Sequence, residues 1–143
     1  MTTAFLALQS AIAAALAPAI PLGSVSLNRR RPIPAGQSSA IALHLDQTSG
    51  DETVLGMLDW TTNFSVECYA KATAGADPAG AVDALFADVW ARLSAIDAGA
   101  LNAIAVTINP QLDWQYDETD ASLVCVVTRL SVQHRTPFAS PSA

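Results

Sequence analysis

The stretch that decides the fold runs from residue 58 to residue 70 and reads LDWTTNFSVECYA. Its even-numbered residues from Trp60 to Ala70 are mostly apolar, whereas its odd-numbered residues from Asp59 to Tyr69 are mostly polar. Alternation with a period of two over this length is typical of a strand with one face on a core and the other in water, as in antiparallel sheets. We therefore expect this strand to organise a sheet.

Shorter patterns predict the remaining strands. These are a short strand at residues 25–28, a half-buried strand at 40–46, and strands at 103–108 and 123–133. The polar residues 47–53 around Gly50 predict a loop, and Asn109-Pro110 is expected to end a strand before a polar, acidic connection.

Two helices are expected. Residues 3–17 carry an apolar stripe at helical spacing that ends before Pro18, and a second helix starts at Asp77-Pro78, with Asp at the N-cap and Pro at the first helical position. That helix is predicted to continue through residue 97 and to stop at Gly99.

Together these elements predict an α+β fold, with a single antiparallel or mixed β-sheet of about four to five strands and two α-helices packed on one face. Residues 1–135 form one expected domain. Residues 136–143 contain two prolines and no periodic pattern, which predicts a flexible tail.

The composition is poor in charge. Only 14% of the 143 residues are charged, against about 25% in an average soluble protein. Either the richness in alanine accounts for this, or much of the surface faces other subunits.

The formal net charge of −6 disfavours tight binding to DNA or to anionic membranes, and the chain has a single lysine, Lys71. The run Arg29-Arg30-Arg31 is the one concentration of positive charge. It is interpreted as a solvated loop, as a contact for acidic neighbours, or as a phosphate contact.

No residues are assigned to catalysis, to a cofactor or to a metal. Cys68 and Cys125 lie in apolar runs and are expected to be buried, reduced thiols, and His44 and His134 are expected on wet strand faces. The acidic residues occur in patterns typical of solvated loops, and metal-ligand spacings such as Cys-x-x-Cys do not occur.

The first 28 residues carry no charged side chain, a feature that signal peptides and membrane spans share in their apolar stretches. No basic residue precedes the apolar stretch, and alanine dominates it, so a cytoplasmic protein without membrane attachment is expected.

The layout resembles the tail terminator proteins of long-tailed phages, of the kind typified by the lambda tail terminator. The likeness spans most of the chain, and the order of its motifs carries it. The motifs are Asn28-Arg29-Arg30-Arg31 after the first helix, the strand residues 64–70 (FSVECYA), the helix at 83–93, and the stretch from Asn109-Pro110 to Trp114.

This resemblance implies a structural virion protein that forms a homo-oligomeric ring, a hexamer in that family, on the head-proximal end of the tail. Such a ring caps the tail tube, stops its polymerisation and joins a head-tail connector or neck protein, while DNA only passes through the lumen. Assembly would take place in the host cytoplasm. The candidate inter-subunit contact is between Arg29, Arg30 and Arg31 and the acidic pairs Asp51-Glu52 or Asp117-Glu118.

Other interpretations stay open. A tube protein or head-tail adaptor has a similar size and sheet, although tube proteins tend to use a long hairpin and the loop predicted at 47–53 is short for one. A small ligand-binding module or an enzyme would need converging polar groups, for which the sequence offers no cluster.

Overall fold

The structure, a computed structural model, describes residues 2–20, 25–28, 33, 37–73, 75–117 and 122–142. In chain order the elements are helix α1 (Ala4–Leu16), a turn of 3-10 helix (Ala17–Ala19), strands β1 (Val25–Leu27), β2 (Ser39–Val54) and β3 (Met57–Lys71), helix α2 (Pro78–Ser94), and strands β4 (Ala105–Tyr116) and β5 (Leu123–Pro137).

The strands form one five-stranded sheet in the order β1-β2-β3-β5-β4. β1 is parallel to β2, and the other neighbours are antiparallel. The central strand β3 pairs with β5 along its whole length, from Met57 opposite Pro137 to Lys71 opposite Leu123. The predicted class, an α+β fold with one mixed sheet and two helices, is confirmed.

Both helices pack on the face that carries the even-numbered residues of β3. Phe64, Val66 and Cys68 are completely buried there, and they share one core with Leu8, Ile12 and Leu16 of α1 and with Val82, Val89 and Leu93 of α2. Each such side chain contributes about 1.5–3 kcal/mol when fully buried. The alternation in residues 58–70 therefore identifies the face of β3 that packs in the core.

A buried polar network fixes α1 against the β1–β2 edge. The side chain of Gln9, which is 1% exposed, donates to Asn28 Oδ1 at 2.9 Å and to the carbonyl of Leu43 at 3.1 Å. Asn28 Oδ1 also accepts from the amide of Leu45 at 2.9 Å. Because these groups satisfy one another inside the protein, the helix has one preferred position on the sheet.

The loop predicted at residues 47–53 is wrong, because β2 continues to Val54 and pairs with β3 beyond a bulge after Leu45. Gly50 does not make a turn. It faces Trp60 across the strands, and a Cβ there would lie 2.6 Å from that ring. The turn is made by Leu55 and Gly56, with Gly56 at φ 79°. β2 and β3 therefore form a long hairpin.

The strand end predicted at Asn109-Pro110 is also wrong. β4 continues to Tyr116, and its pairing with β5 resumes at Asp113 after an irregularity. Pro110 is tolerated because β4 is an edge strand and the missing amide falls in this bulge.

The predicted starts of both helices are confirmed. Thr3 caps α1 and Asp77 caps α2, whose Pro78 is its first residue. α2 ends at Ser94, three residues before the predicted end, because Ala95 already forms its C-cap.

The last strand is longer than predicted. β5 extends to Pro137, past the predicted domain boundary at residue 135.

Candidate subunit interface

The predicted contact residues lie partly outside the described residues. Arg29, Arg30, Arg31 and Glu118 belong to the ranges that the structure does not describe. Asp51 and Glu52 lie on β2 beside its turn, and Asp117 directly follows β4; all three are exposed.

The fold does not bring these acidic residues together. Asp51 pairs with Asp59, near the start of β3, whereas the Asp117 amide donates to the carbonyl of Leu123, which pairs with Lys71 at the end of β3. About 40 Å of strand separates these two levels, at about 3.3 Å per residue. Asp51-Glu52 and Asp117 are therefore alternative contact sites.

Aromatic side chains cluster where β4 meets α2. The Phe86 ring lies 5.9 Å from the Trp90 ring and 6.3 Å from the Trp114 ring, centroid to centroid. Trp114 is 41% exposed and Tyr116 is 58% exposed. We call Phe86, Trp90, Trp114 and Tyr116 the aromatic patch. Exposed Trp and Tyr beside one another are typical of interface centres.

A second exposed apolar site lies at the hairpin tip. Leu55 in the turn is 94% exposed and Phe138 is 62% exposed, and the amide of Phe138 donates to the carbonyl of Gly56 at 2.8 Å. Turns more often carry Gly, Asn, Asp or Ser at such positions. Neither the core nor the turn geometry explains the leucine.

The sheet face opposite the helices is polar and internally paired. Glu67 lies 3.3 Å from His44 Nε2 and accepts a hydrogen bond from the Tyr69 hydroxyl at 2.5 Å. Ser65 donates to Asp46. Of these residues, all except Tyr69 border a shallow groove of about 560 Å³. Mutually bonded side chains of this kind solvate a face and offer no activated nucleophile.

His134 does not lie on a wet face, as its sequence position suggested. It is 2% exposed, on the helix-covered face, with Nε2 2.7 Å from Thr62 Oγ1. Burial lowers its pKa below the ordinary value of a histidine. The ring of Phe5 meets it edge-on at 5.3 Å. The residue anchors the first turn of α1.

The two cysteines are free and buried, as predicted. Burial raises the pKa of each thiol to about 12, with the nearby Cys125 adding to the effect at Cys68. Because the thiolate is the reactive form, neither is a competent nucleophile near neutral pH.

Among the described residues, no three His, Cys, Asp or Glu side chains converge as a metal-ligand set. None of the described helices combines the length and apolarity that crossing a membrane requires.

The interface predicted from the sequence did not include the aromatic patch or the hairpin tip. Trp114 and Tyr116 share one face of β4 only because that strand continues past Pro110. Had the strand been extended through the proline, their period-two spacing would have indicated the patch.

Comparison with known proteins gives a match at the level of fold. No protein-family model matches the sequence, and no curated protein matches it. A chain from the virion of a native gene transfer agent particle aligns over 90% of this chain and 94% of its own, with a TM-score of 0.64 and 13% identity. A chain from the sheath/tube terminator of an extracellular contractile injection system, in its extended state, aligns over 96% of this chain and 59% of its own, with a TM-score of 0.48 and 8% identity. The first match shows a shared fold; the second is too distant to carry an argument.

Proposed function

We propose that this protein is a non-enzymatic structural subunit of a phage-type tail, acting as the tail terminator. The observation that carries the proposal is the fold shared, over nearly the full length of both chains, with a component of a gene transfer agent virion. Because one fold can serve unrelated functions, this support is by analogy. The surface of the protein adds an independent argument.

That argument is the amount of large apolar side chain left in water. Leu55, Phe138, Trp114 and Tyr116 are all more than 40% exposed, although the chain has few charges with which to solvate its surface. Contiguous exposed apolar groups mark interaction sites. Since the tip and the aromatic patch occupy different parts of the sheet, one subunit can contact more than one neighbour.

In the proposed role, identical subunits close into a ring, with six members as in the family that the sequence resembles. A closed ring requires heterologous contacts, in which one surface meets a different surface of the next copy. Arg29, Arg30 and Arg31 are the proposed basic half of that contact, and Asp51-Glu52 or Asp117-Glu118 the acidic half. The ring would cap the tail tube, hold the neck protein and reside at the head-proximal end of the virion.

The activity that defines a terminator is the arrest of tube growth. Tube protein polymerised from preformed tube seeds, with and without this protein, tests it by electron microscopy of tube lengths. We expect the added protein to occupy one end and to hold tubes near the seed length. Tubes that lengthen equally in its presence would refute the role.

One observation favours a second candidate, a tail tube subunit. The hairpin of β2 and β3 has arms of 16 and 15 residues and an apolar tip, so the argument against a tube protein from a short loop no longer holds. A tube subunit would itself lengthen the seeds, whereas a terminator would stop them. The same experiment therefore separates the two.

A further inference from the structure

We infer that the aromatic patch at the β4 edge is the docking surface for residues 29–36 of a neighbouring copy. The inference rests on the proposed ring-forming function and assigns a specific pair of surfaces to it. It follows from the chemistry of the two partners and from their places in the sheet.

The two surfaces are chemically complementary. Residues 29–36 read RRRPIPAG, with three arginines, two prolines and no acidic residue. Arginine stacks its planar guanidinium on aromatic rings, and proline-containing extended segments dock on aromatic surfaces. Beyond Tyr116 the chain continues as Asp117, Glu118, Thr119 and Asp120, with three acidic residues and no basic one. The patch therefore offers rings beside negative charge.

Within one chain, the segment and the patch are attached to opposite edges of the sheet. Residues 29–36 follow β1 and Asn28 in the sequence, whereas Trp114 and Tyr116 of the patch lie on β4, at the opposite edge of the sheet. An eight-residue segment tethered at both ends reaches roughly 14 Å, half its extended length at about 3.5 Å per residue. The sheet is roughly 19 Å wide, with four strand spacings of about 4.8 Å. Because the backbone of the segment reaches less far than the sheet is wide, we assign the contact to another copy.

The residues that flank the 29–36 segment at the β1–β2 edge lie at the same height along the strand direction as the patch at the β4 edge. Before the segment, the Asn28 amide donates to the carbonyl of Leu43, and after it Ser39 begins β2. The strand pairing carries the level of Ser39 across the sheet to Tyr116, and the level of Leu43 to the bulge that precedes Asp113. A neighbour placed edge to edge therefore meets the patch without sliding along the strands.

This geometry decides between the two acidic pairs. Asp51-Glu52 lies on β2, the neighbour of β1, and the arginines follow β1 in the sequence. Asp117 directly follows β4, at the opposite edge of the sheet, and Glu118 is the next residue in the sequence. Contacts between opposite edges repeat from copy to copy and can close into a ring, so the acidic half is assigned to Asp117-Glu118.

Cross-linking tests this pairing in the assembled protein, with tail tubes present if assembly requires them. One preparation carries Arg30→Cys, another carries Tyr116→Cys, and the two are mixed and treated with a short bismaleimide. We expect a heterodimer from the mixture and far less dimer from either variant alone. Wild type reports the background, which the buried native thiols should keep low. Mixing Arg30→Cys with Asp51→Cys is the matched control for the rejected acidic pair.

Point variants give a second measurement, the assembled fraction by light scattering. Tyr116→Ser and the double change Arg30→Glu/Arg31→Glu should each weaken assembly at least tenfold. Leu6→Ser removes a similarly exposed apolar side chain on α1 and should leave ring formation unchanged. Retention of the native unfolding midpoint in Tyr116→Ser separates lost docking from lost folding.

The outcomes distinguish the two proposals. Rings with the 30–116 cross-link support both, and open polymers with that link support the docking surface while refuting the terminator. Rings that lack the link, or that link 30 to 51 instead, overturn the docking surface alone. A protein that neither assembles nor cross-links, with or without tubes, overturns both.

Discussion

His134 shows how one buried side chain can decide where an element sits. Its ring lies between Phe5 of α1 and Thr62 of β3, and none of the residues that the structure describes forms a hydrogen bond with its Nδ1. Phe5 also meets Trp60 edge-on at 5.1 Å. The start of α1 therefore rests on an aromatic stack that includes one titratable group. A histidine on a strand of mixed pattern gives no sign of this from the sequence, since the covering residue comes from a distant helix.

A pH dependence follows from this residue. The pKa of His134 in the folded protein is lowered by burial, so the folded state binds fewer protons than the unfolded chain. The stabilisation is complete above the unfolded pKa of about 6.5 and declines as the pH falls through it. Urea midpoints at about pH 7.5 and about pH 5.5 should show a loss in wild type that His134→Gln reduces. An equal loss in both proteins would mean that other groups are responsible.

A second pH-dependent contribution to stability comes from Asp59 and changes at lower pH. Arg135 and Thr53 donate hydrogen bonds to Asp59, which lowers the pKa of that carboxyl to about 2. Its contribution is present above the unfolded value and is lost only as the pH falls from about 4 towards about 2. Both pH values of the urea comparison lie above the range in which Asp59 titrates, so the histidine step between them is measured apart from that of Asp59.

Among the helices and strands, the sequence pattern predicted the structure best where one face of a strand is buried. Residues 58–70 alternate because α1 and α2 cover one face of β3, and the signal survives in the sequence. The distal half of β2 and the second half of β4 were missed for a common reason. β2 there is polar on both sides, and β4 contains Pro110, so neither keeps the alternation. Pairing with a neighbour, which is non-local, makes both of them strands.

The close contact between Gly50 and Trp60 leads to a prediction about the stability of the protein. Its missing side chain makes room for Trp60, whose Nε1 donates to Thr136 Oγ1 at 2.9 Å and whose ring packs on Phe5. Because the indole is held on two sides, Gly50→Ala should destabilise the protein by about 1–3 kcal/mol through overpacking. Chemical denaturation measures this, with Ser49→Ala, at an exposed neighbouring position, as control. Equal midpoints for the two variants would show that the ring moves freely.

For the whole molecule, the fold class could be predicted because alternation, capping and helical spacing agree in one arrangement. The interface could not be predicted to the same degree. Charge complementarity pointed to the arginines and to two acidic pairs, but their positions depend on strand order, which no local pattern specifies. The aromatic patch and the hairpin tip are also products of pairing between distant segments. The candidate contact surfaces are therefore visible only on the folded protein.

The proposed ring-forming role is tested by the mass of the purified protein in solution, measured by light scattering first for the protein alone and then with tail tubes. We expect one discrete ring of defined mass, either free or formed only on tube ends, with no growth beyond it. A protein that stays monomeric with and without tubes would contradict the claim.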